Sequence, residues 1–293
     1  MIVNADCIEH LKTIEDNYFD SVVTDPPYHL TSIAKRFTNS TEAKYGKDGS
    51  FQRLSKGFVG HEWDGGDIAF TTDLWKEVYR TIKPGAVLLA FAATRNYHRM
   101  ATAIEDSGFE IFDMINWIYG SGFPKSKNLL KPAHEPILIA RKGVNKPLNL
   151  DECRVGDFEQ DTSKNRRNTQ KEQIFKGGWK GDKGGEVVKG RWPANVIHDG
   201  LEEDWSKYFY CSKASKKEKD DTNHPTVKPI DLMRYLVKLV TPKDGLVLDP
   251  FAGTGTTGEA CILEGRNYYL IEKTKEYIPD IEKRINKYDR LGI

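Results

Sequence analysis

An apolar run that ends in two consecutive prolines constrains this chain most. Residues 19–23 are mostly apolar, and Asp25-Pro26-Pro27-Tyr28 follows almost directly. Such a run is typical of a buried parallel strand, and the prolines cannot continue a strand ladder. We therefore expect a strand whose carboxyl end presents a carboxylate, a stiff backbone and an aromatic ring. Open α/β sheets bind their ligands at that edge.

These four residues suit the binding of a flat nitrogenous ring whose exocyclic amine is alkylated. Acceptors on Asp25 and on the backbone carbonyl of Pro26 would bind the amine protons, while Tyr28 stacks on the ring. This is electrostatic positioning of a developing cation, and it needs neither a covalent intermediate nor a metal. An ordinary Asp-Pro turn followed by a chance Pro-Tyr is the alternative for the tetrapeptide by itself.

The motif Asp-Pro-Pro-Tyr after an apolar strand resembles the catalytic motif of the DNA amino-methyltransferases. The resemblance implies transfer of a methyl group from S-adenosylmethionine to adenine N6 or cytosine N4 of a flipped base. It implies that the catalytic residues are Asp25, Pro26, Pro27 and Tyr28. Aspartate at the first position favours adenine, so we expect an adenine-specific enzyme, with cytosine N4 as the alternative.

Composition is compatible with a cytoplasmic enzyme. The 293 residues suit one large α/β domain with an insert, and 30% of them are charged. We see neither an apolar stretch of membrane-spanning length nor a signal-peptide layout. Four cysteines without a C-x-x-C pair indicate neither a disulfide framework nor a zinc site, and no metal is expected. The net charge of +1 means that DNA binding requires clustered basic residues.

A strand followed by a glycine-rich turn near the C-terminus predicts a nucleotide-type cofactor site. Residues 245–248 form an apolar strand, residues 249–258 turn it into a helix, and residues 268–272 form a second strand that ends in Glu272. Glycines let the backbone approach a ligand, and the acid is spaced for ribose hydroxyls. A nicotinamide-binding Rossmann unit fits as well, whereas a P-loop does not. The resemblance instead implies S-adenosylmethionine, bound by Asp249, Phe251, Gly253, Gly255, Thr256 and Glu272.

Two further segments are candidates for the same cofactor. His-Pro-Thr-Val-Lys-Pro at 224–229 resembles the family segment that lines the methionine end, so Thr226 and Lys228 would bind its carboxylate. A proline-marked helix start with a solvated Lys228 is the alternative. At the N-terminus, a short strand at 2–3 and a helix at 8–14 lead to the Asp25 strand as a βαβ unit. Asp6 either borders the cofactor's adenine, as in the family, or caps that helix.

Two polar stretches are the candidate DNA-binding regions. Residues 29–66 interleave basic and aromatic side chains, which suits contact with phosphates and unstacked bases. Residues 144–223 read as a loop-rich insert with one short strand at 191–197, where the family places its target recognition region. A solvated surface is the alternative reading for both. The candidate DNA contacts are Lys35, Arg36, Arg166, Arg167, Lys180 and Arg191.

The position of the cofactor unit predicts how the sheet closes. Only one helical segment follows Glu272, so the missing strands must come from the N-terminal half. We expect the Gly245 strand to lie beside the Asp25 strand. The fold is thus predicted to be α/β, a circularly permuted Rossmann-like sheet of an S-adenosylmethionine-dependent methyltransferase. Residues 1–143 would be the catalytic half, 144–223 the inserted target recognition region and 224–293 the cofactor-binding half.

The expected partner is double-stranded DNA, without a membrane. A homodimer and a cognate restriction enzyme are further predicted partners. Methylation of RNA or of a protein glutamine uses related chemistry and stays an alternative. A DNA-binding protein that has lost catalysis is a second alternative, although motifs for both the base and the cofactor are intact.

Overall fold

The computed structural model describes residues 1–28, 67–119, 130, 133–161, 187–198 and 227–289. These residues form an eight-stranded sheet and a separate two-stranded sheet. Helices cover the faces of the larger sheet. Within the described parts of the chain, no helix is long and apolar enough to cross a membrane.

The elements follow one another with short connections in the parts that are described. Two short 3-10 turns occur, at Ile68–Phe70 and Lys275–Tyr277. In chain order, the helices and strands are β1 (Ile2–Asn4), α1 (Cys7–Leu11), β2 (Phe19–Thr24), α2 (Thr72–Thr81), β3 (Ile82–Phe91), α3 (Tyr97–Glu105), β4 (Glu110–Ile118), β5 (His134–Arg141), β6 (Val155–Asp161), β7 (Val187–Arg191), β8 (Val196–His198), α4 (Ile230–Val240), β9 (Leu246–Asp249), α5 (Thr256–Leu263), β10 (Asn267–Glu272) and α6 (Ile278–Asp289).

The order of strands in the large sheet is β1-β10-β9-β2-β3-β5-β4-β8. Strand β5 runs antiparallel to both of its neighbours, and the other pairs are parallel. At the centre, β2 pairs with β9, with Ser21 opposite Val247 and Val22 opposite Leu248. The predicted adjacency of the Gly245 and Asp25 strands is therefore confirmed, and the sheet closes in the permuted order.

Both faces of the sheet are buried, which is why its central strands are almost continuously apolar. Along β3, Leu88 and Ala90 face one core, where the apolar side of α2 packs. The alternating residues Leu89 and Phe91 face the second core, which includes the apolar stripe of α4. A parallel sheet with helices on both sides leaves its strand ends as the exposed edge for a site.

Three local predictions differ from the structure. Helix α1 ends at Leu11 rather than at residue 14. Strands β1 and β2 share the parallel sheet, but β10 and β9 lie between them. The single strand expected at 191–197 is two strands in different sheets, because β7 ends at Arg191 and β8 begins at Val196. Pro193 lies between them and cannot donate a ladder hydrogen bond.

The described ends of the predicted insert contact the main domain. Asn149 Nδ2 donates to the carbonyls of Lys238 (2.9 Å) and Thr241 (2.8 Å) at the end of α4. Strand β8 extends the large sheet beside β4, whereas β6 and β7 form the separate two-stranded sheet. Asn149 and β8, both within the predicted insert, therefore contact the main domain. The domain limits at 143 and 223 stay a prediction.

A buried ion pair fastens α6 to the glycine-rich turn. Glu259 on α5 and Arg284 on α6 are both buried, with Arg284 Nη1 at 2.6 Å from Glu259 Oε2. Arg284 Nε donates to the carbonyl of Thr254 at 2.9 Å. Lys287 and the hydroxyl of Tyr288 contact the other oxygen of Glu259. These contacts hold the backbone of the turn against the C-terminal helix.

Replacing Arg284 by methionine should destabilise the protein by about 3 kcal/mol, because Glu259 would keep a buried charge with fewer partners. Urea unfolding followed by circular dichroism measures the change. Lys12→Met is the matched control, since it breaks an exposed pair with Glu9, and it should leave the unfolding midpoint unchanged. Equal midpoints for Arg284→Met and the wild type would contradict the role of the pair.

Candidate active site

A cavity of about 560 Å³ lies at the carboxyl ends of β2, β9 and β10. Segments far apart in the chain meet there because parallel strands end at the same edge of a sheet. The cavity therefore joins the Asp-Pro-Pro-Tyr segment to the glycine-rich turn. Its lining residues are Asp6, Cys7, Asp25, Pro27, Ile68, Lys228, Met233, Asp249, Pro250, Phe251, Ala252, Gly253, Thr254, Thr256, Thr257, Glu272, Lys273, Thr274 and Tyr277.

Most of the predicted cofactor-binding residues lie in this wall. They are Asp6, Lys228, Asp249, Phe251, Gly253, Thr256 and Glu272. Gly255 is not part of the wall and instead precedes α5 with φ of 79°. A Cβ there would lie 2.9 Å from Ile281 Cγ2, so Gly255 permits the close approach of α6. Thr226 lies outside the described residues.

Several wall residues have no signal in the sequence. Ile68 and Tyr277 lie in the two 3-10 turns, and Met233 lies on α4. Lys273 and Thr274 differ from these, because they follow directly on the acid at the end of β10 and could have been predicted. The others are brought to the cavity by tertiary packing.

Glu272 is held rigidly across the glycine turn. One carboxylate oxygen accepts the backbone N–H of Gly253 at 2.8 Å and the other accepts that of Thr274 at 2.7 Å. Burial raises the pKa of Glu272, and these hydrogen bonds oppose the rise. A carboxylate oxygen has two acceptor positions, so Glu272 keeps capacity for hydroxyl donors of a ligand.

Asp249 ties three elements together at the cavity wall. Oδ1 accepts from Thr24 Oγ1 (2.8 Å) and from the backbone N–H of Phe251 (3.1 Å), and Oδ2 accepts from Thr257 Oγ1 (2.6 Å). Burial raises the pKa of Asp249 to about 6, although these hydrogen bonds favour the ionised form. Its carboxylate thus shapes the junction of β9, β2 and α5.

Asp6 caps α1 and also lines the cavity. Its Oδ1 accepts from the backbone N–H of Ile8 at 3.1 Å and so caps α1. Its Oδ2 lies 3.0 Å from Lys273 Nζ, and Asp6 also lines the cavity. A capping residue at this strand end therefore faces the site as well.

Asp25 lies in a cluster of charged and aromatic side chains. Lys228 Nζ donates to Asp25 Oδ2 at 2.6 Å and lies 3.2 Å from Glu135 Oε2. Tyr28 donates its hydroxyl to Glu135 Oε2 at 3.1 Å, and its backbone carbonyl accepts from Asn96 Nδ2 at 2.7 Å. Burial raises the pKa of Asp25; the charge of Lys228 opposes the rise and that of Glu135 adds to it.

The second oxygen of Asp25 is buried without a hydrogen-bond partner among the described residues. A buried acceptor without a donor costs about 1–3 kcal/mol, so proteins rarely keep one without a use. Asp25 also lines the cavity. Asp25 therefore brings an unsatisfied acceptor to the wall of the cavity.

The candidate DNA contacts are mostly untested by the structure. Lys35, Arg36, Arg166, Arg167 and Lys180 lie outside the described residues. Arg191 is exposed at the end of β7, beside Trp192, whose side chain is half exposed. The guanidinium of Arg154 lies 5.5 Å from the centre of the Trp192 ring. In the described part of the chain, no cluster of His, Cys, Asp and Glu has the arrangement of a metal site.

Comparison with known families agrees with this geometry. The profile of the N6_N4_Mtase family, described as DNA methylase, matches residues 19–283, which span both the Asp-Pro-Pro-Tyr segment and the glycine-rich turn. The chain belongs to this DNA methylase family.

Relatives of this DNA methylase include two bacterial proteins. It is 27% identical to the Type II methyltransferase M.HpaI of Haemophilus parainfluenzae, over 97% of this chain and 74% of the relative. It is 27% identical to the Type II methyltransferase M2.MboI of Moraxella bovis, over 97% of this chain and 86% of the relative. Both alignments extend over almost the whole DNA methylase.

Solved structures show the same fold. The complex of M1.HpyAVI with SAM has a TM-score of 0.55 and 20% identity to this DNA methylase, over 98% of both chains. The PvuII DNA methyltransferase, described as cytosine-N4-specific, has a TM-score of 0.55 and 17% identity, over 99% of this chain and 91% of the other. The predicted Rossmann-like methyltransferase fold is confirmed by these likenesses.

The raised pKa of Asp249 predicts a pH-dependent stability. Its folded pKa of about 6 lies above the ordinary value of 3.8, so between these values the folded protein binds the proton better than the unfolded chain. Proton binding by Asp249 therefore contributes on the order of 3 kcal/mol to the free energy of unfolding. This contribution is complete below pH 4 and is lost as the pH rises through 6. Asp249→Asn should therefore flatten the fall of the free energy of unfolding over this window.

Urea unfolding at a series of pH values measures this slope. The absolute stability of Asp249→Asn will also fall, because an amide cannot accept all three hydrogen bonds, so only the slope is diagnostic. Part of the slope should persist, since burial also raises the pKa of Asp25 and of Glu272. Asp73→Asn, at an exposed position on α2, is the control and should keep the wild-type slope. An unchanged slope in Asp249→Asn would contradict the prediction.

Proposed function

We propose that this DNA methylase transfers a methyl group from S-adenosylmethionine to the N6 amine of adenine at a specific site in double-stranded DNA. The observation that carries the proposal is Asp25: its Oδ1 is buried without a hydrogen-bond partner among the described residues, and the residue lines the same cavity as the glycine turn and Glu272. A DNA methylase needs a methyl donor, so this family membership favours S-adenosylmethionine over a nicotinamide cofactor for the glycine-rich turn.

The residues of the cavity fit such a cofactor. The volume of the cavity lies within the range of small-molecule sites. Apolar and aromatic side chains that could pack against a flat ring system line part of the cavity: Phe251, Ile68 and Tyr277. The carboxylates of Glu272 and Asp6 are acceptors for ribose hydroxyls and ring amines. When bound, S-adenosylmethionine supplies a methyl group carried on a positively charged sulfur.

The residues after β2 bind and orient the target amine. Asp25 Oδ1 accepts one amine N–H, and the backbone carbonyl of Pro26 accepts the other. Both bonds draw the nitrogen toward a tetrahedral shape, which frees the lone pair that conjugation with the ring otherwise occupies. When the nitrogen takes the methyl group, the sulfur is left neutral in S-adenosylhomocysteine and the nitrogen becomes positive. The Asp25 carboxylate stabilises this charge until the amine releases one proton to solvent. Tyr28 and Pro27 hold the base against the cavity wall.

The base must leave the duplex to reach this cavity, because its amine is inaccessible while it is stacked. The basic segments predicted from the sequence, with Lys35, Arg36, Arg166, Arg167 and Lys180, would bind the DNA around it. Arg191 extends this set to a described position, where it is exposed on β7 next to the aromatic surface of Trp192.

Cytosine N4 is the second candidate for the methylated atom. A family named for both chemistries and a structural relative described as cytosine-N4-specific favour it. The aspartate at position 25 favours adenine. The Type II names of the relatives suggest a cognate restriction enzyme and a cytoplasmic location for this chain, and a homodimer stays a prediction.

The proposal is tested by labelling DNA with radioactive S-adenosylmethionine. The wild type should label unmethylated genomic DNA, and nucleoside digestion with chromatography should place the label in N6-methyladenine. Asp25→Ala should lose methylation by on the order of 1,000-fold or more, because it removes the carboxylate that stabilises the developing cation. Its affinity for S-adenosylmethionine, measured by calorimetry, should stay within about threefold.

Asp73→Ala, an exposed change of the same kind on α2, is the control and should label DNA like the wild type. Label in N4-methylcytosine would retain the mechanism and change the base. An Asp25→Ala variant with full activity would overturn the mechanism. A wild type that binds the cofactor but labels no DNA would overturn the proposed function.

A further inference from the structure

All three protons of the Lys228 ammonium have acceptors within the protein. Nζ lies 2.6 Å from Asp25 Oδ2, 3.2 Å from Glu135 Oε2 and 3.2 Å from the hydroxyl oxygen of Tyr28. A lysine ammonium has three donors and no acceptor, so this set is complete. The ammonium also lies 4.7 Å from the centre of the Phe91 ring. Lys228 therefore has no donor left over for the carboxylate of a cofactor, which is the role that the sequence suggested.

Glu135 is the residue that joins this cluster together. It lies near the start of β5, opposite Trp117 of β4. Its Oε2 accepts from the Tyr28 hydroxyl at 3.1 Å and its Oε1 accepts from the Tyr119 hydroxyl at 3.3 Å. Because β5 is antiparallel to β3, the beginning of β5 lies at the same edge as the carboxyl end of β2. The antiparallel strand thus contributes a carboxylate to a site otherwise built from parallel strands.

Among the described residues, Lys228 is shared between two carboxylates. Its ammonium pairs with Asp25 and with Glu135, and burial keeps Tyr28 neutral by raising its pKa well above the ordinary value. If Glu135 were uncharged, the ammonium would pair with Asp25 alone. Because Glu135 also attracts the ammonium, more of the negative charge of Asp25 is available to a developing cation on the target amine.

We propose that Glu135 is a positioning residue for methyl transfer, which shares the Lys228 ammonium with Asp25 and anchors the Tyr28 hydroxyl. Asp25 then keeps Oδ2 on the lysine and turns Oδ1 to the amine, and the Tyr28 ring is fixed in orientation. Lys228 is the internal counter-ion of the pocket for the target base. This inference rests on the proposed function, because it assigns the charge of Asp25 to the amine of that reaction.

The first test is Glu135→Gln, which keeps the shape of the side chain and removes its charge. The rate constant kcat should fall on the order of 10- to 100-fold, less than the loss in Asp25→Ala, while the KM for S-adenosylmethionine stays within about twofold. The acid limb of the pH profile of kcat should move to lower pH, because Asp25 loses a repelling neighbour and keeps Lys228. Tyr28 and Asp249 also face Asp25 and are unchanged in this variant.

The conservative variant and a matched control separate charge from folding. Glu135→Asp restores the charge, so its acid limb should return to the wild-type pH even if the shorter side chain lowers kcat. Glu110→Gln removes a carboxylate that pairs with Arg141 at the other end of the same two strands. Its kcat and its acid limb should equal those of the wild type.

A binding measurement without catalysis tests Lys228. Calorimetric titration of S-adenosylmethionine into Lys228→Met should give an affinity within about threefold of the wild type, if thermal melting shows a folded variant. A tenfold or greater loss of affinity would identify Lys228 as a cofactor ligand and overturn the counter-ion role.

A wild-type kcat and acid limb in Glu135→Gln would overturn the role of Glu135, while the labelling result for the wild type and Asp25→Ala still supported the proposed function. If the wild type labels no DNA, the proposed function fails first.

Discussion

The parallel pairing of β2 with β9 is the contact on which the site depends. It joins an N-terminal strand to a strand that begins more than two hundred positions later in the chain. The ends of the two strands carry Asp25 and Asp249, and the hydrogen bond from Thr24 to Asp249 fastens them at 2.8 Å. Beneath this junction, Ser21 and Thr241 share a buried hydrogen bond of 2.7 Å. The Asp-Pro-Pro-Tyr segment and the glycine-rich turn become neighbours through this pairing.

The same junction concentrates buried carboxylates, which oppose folding unless they gain partners. Burial raises the pKa of Asp25, Asp249 and Glu272. Both oxygens of Asp249 and of Glu272 accept hydrogen bonds, so these two carboxylates are structural supports as well as wall. Asp25 differs, because one oxygen is left without a partner in the described residues. In the proposed reaction this acceptor receives an N–H of the target amine, so the stability lost by leaving it unpaired would serve activity.

The antiparallel strand β5 contributes a carboxylate to the site from its beginning, whereas the parallel strands contribute residues from their carboxyl ends. Parallel strands can bring only residues from their carboxyl ends to this edge, whereas β5 contributes its beginning, where Glu135 lies. This carboxylate contacts Tyr28 and Lys228, so three distant segments meet in one charged cluster. A sheet with only parallel strands would leave Lys228 to balance Asp25 alone. Strand direction therefore affects the electrostatics around Asp25 directly.

The sequence by itself determined the α/β class, the order of the elements, the position of the Asp-Pro-Pro-Tyr segment at a strand end and the glycine-rich turn. These features depend on local patterns: apolar runs, prolines that end a ladder, and glycines at a strand-to-helix turn. Only the tertiary structure decided that Lys228 pairs with Asp25, that Glu135 joins them, and that Gly255 makes room for Ile281. It also divided residues 191–197 between two sheets. Such contacts depend on strand order, strand direction and side-chain geometry across distant segments. No local periodicity in the sequence encodes them.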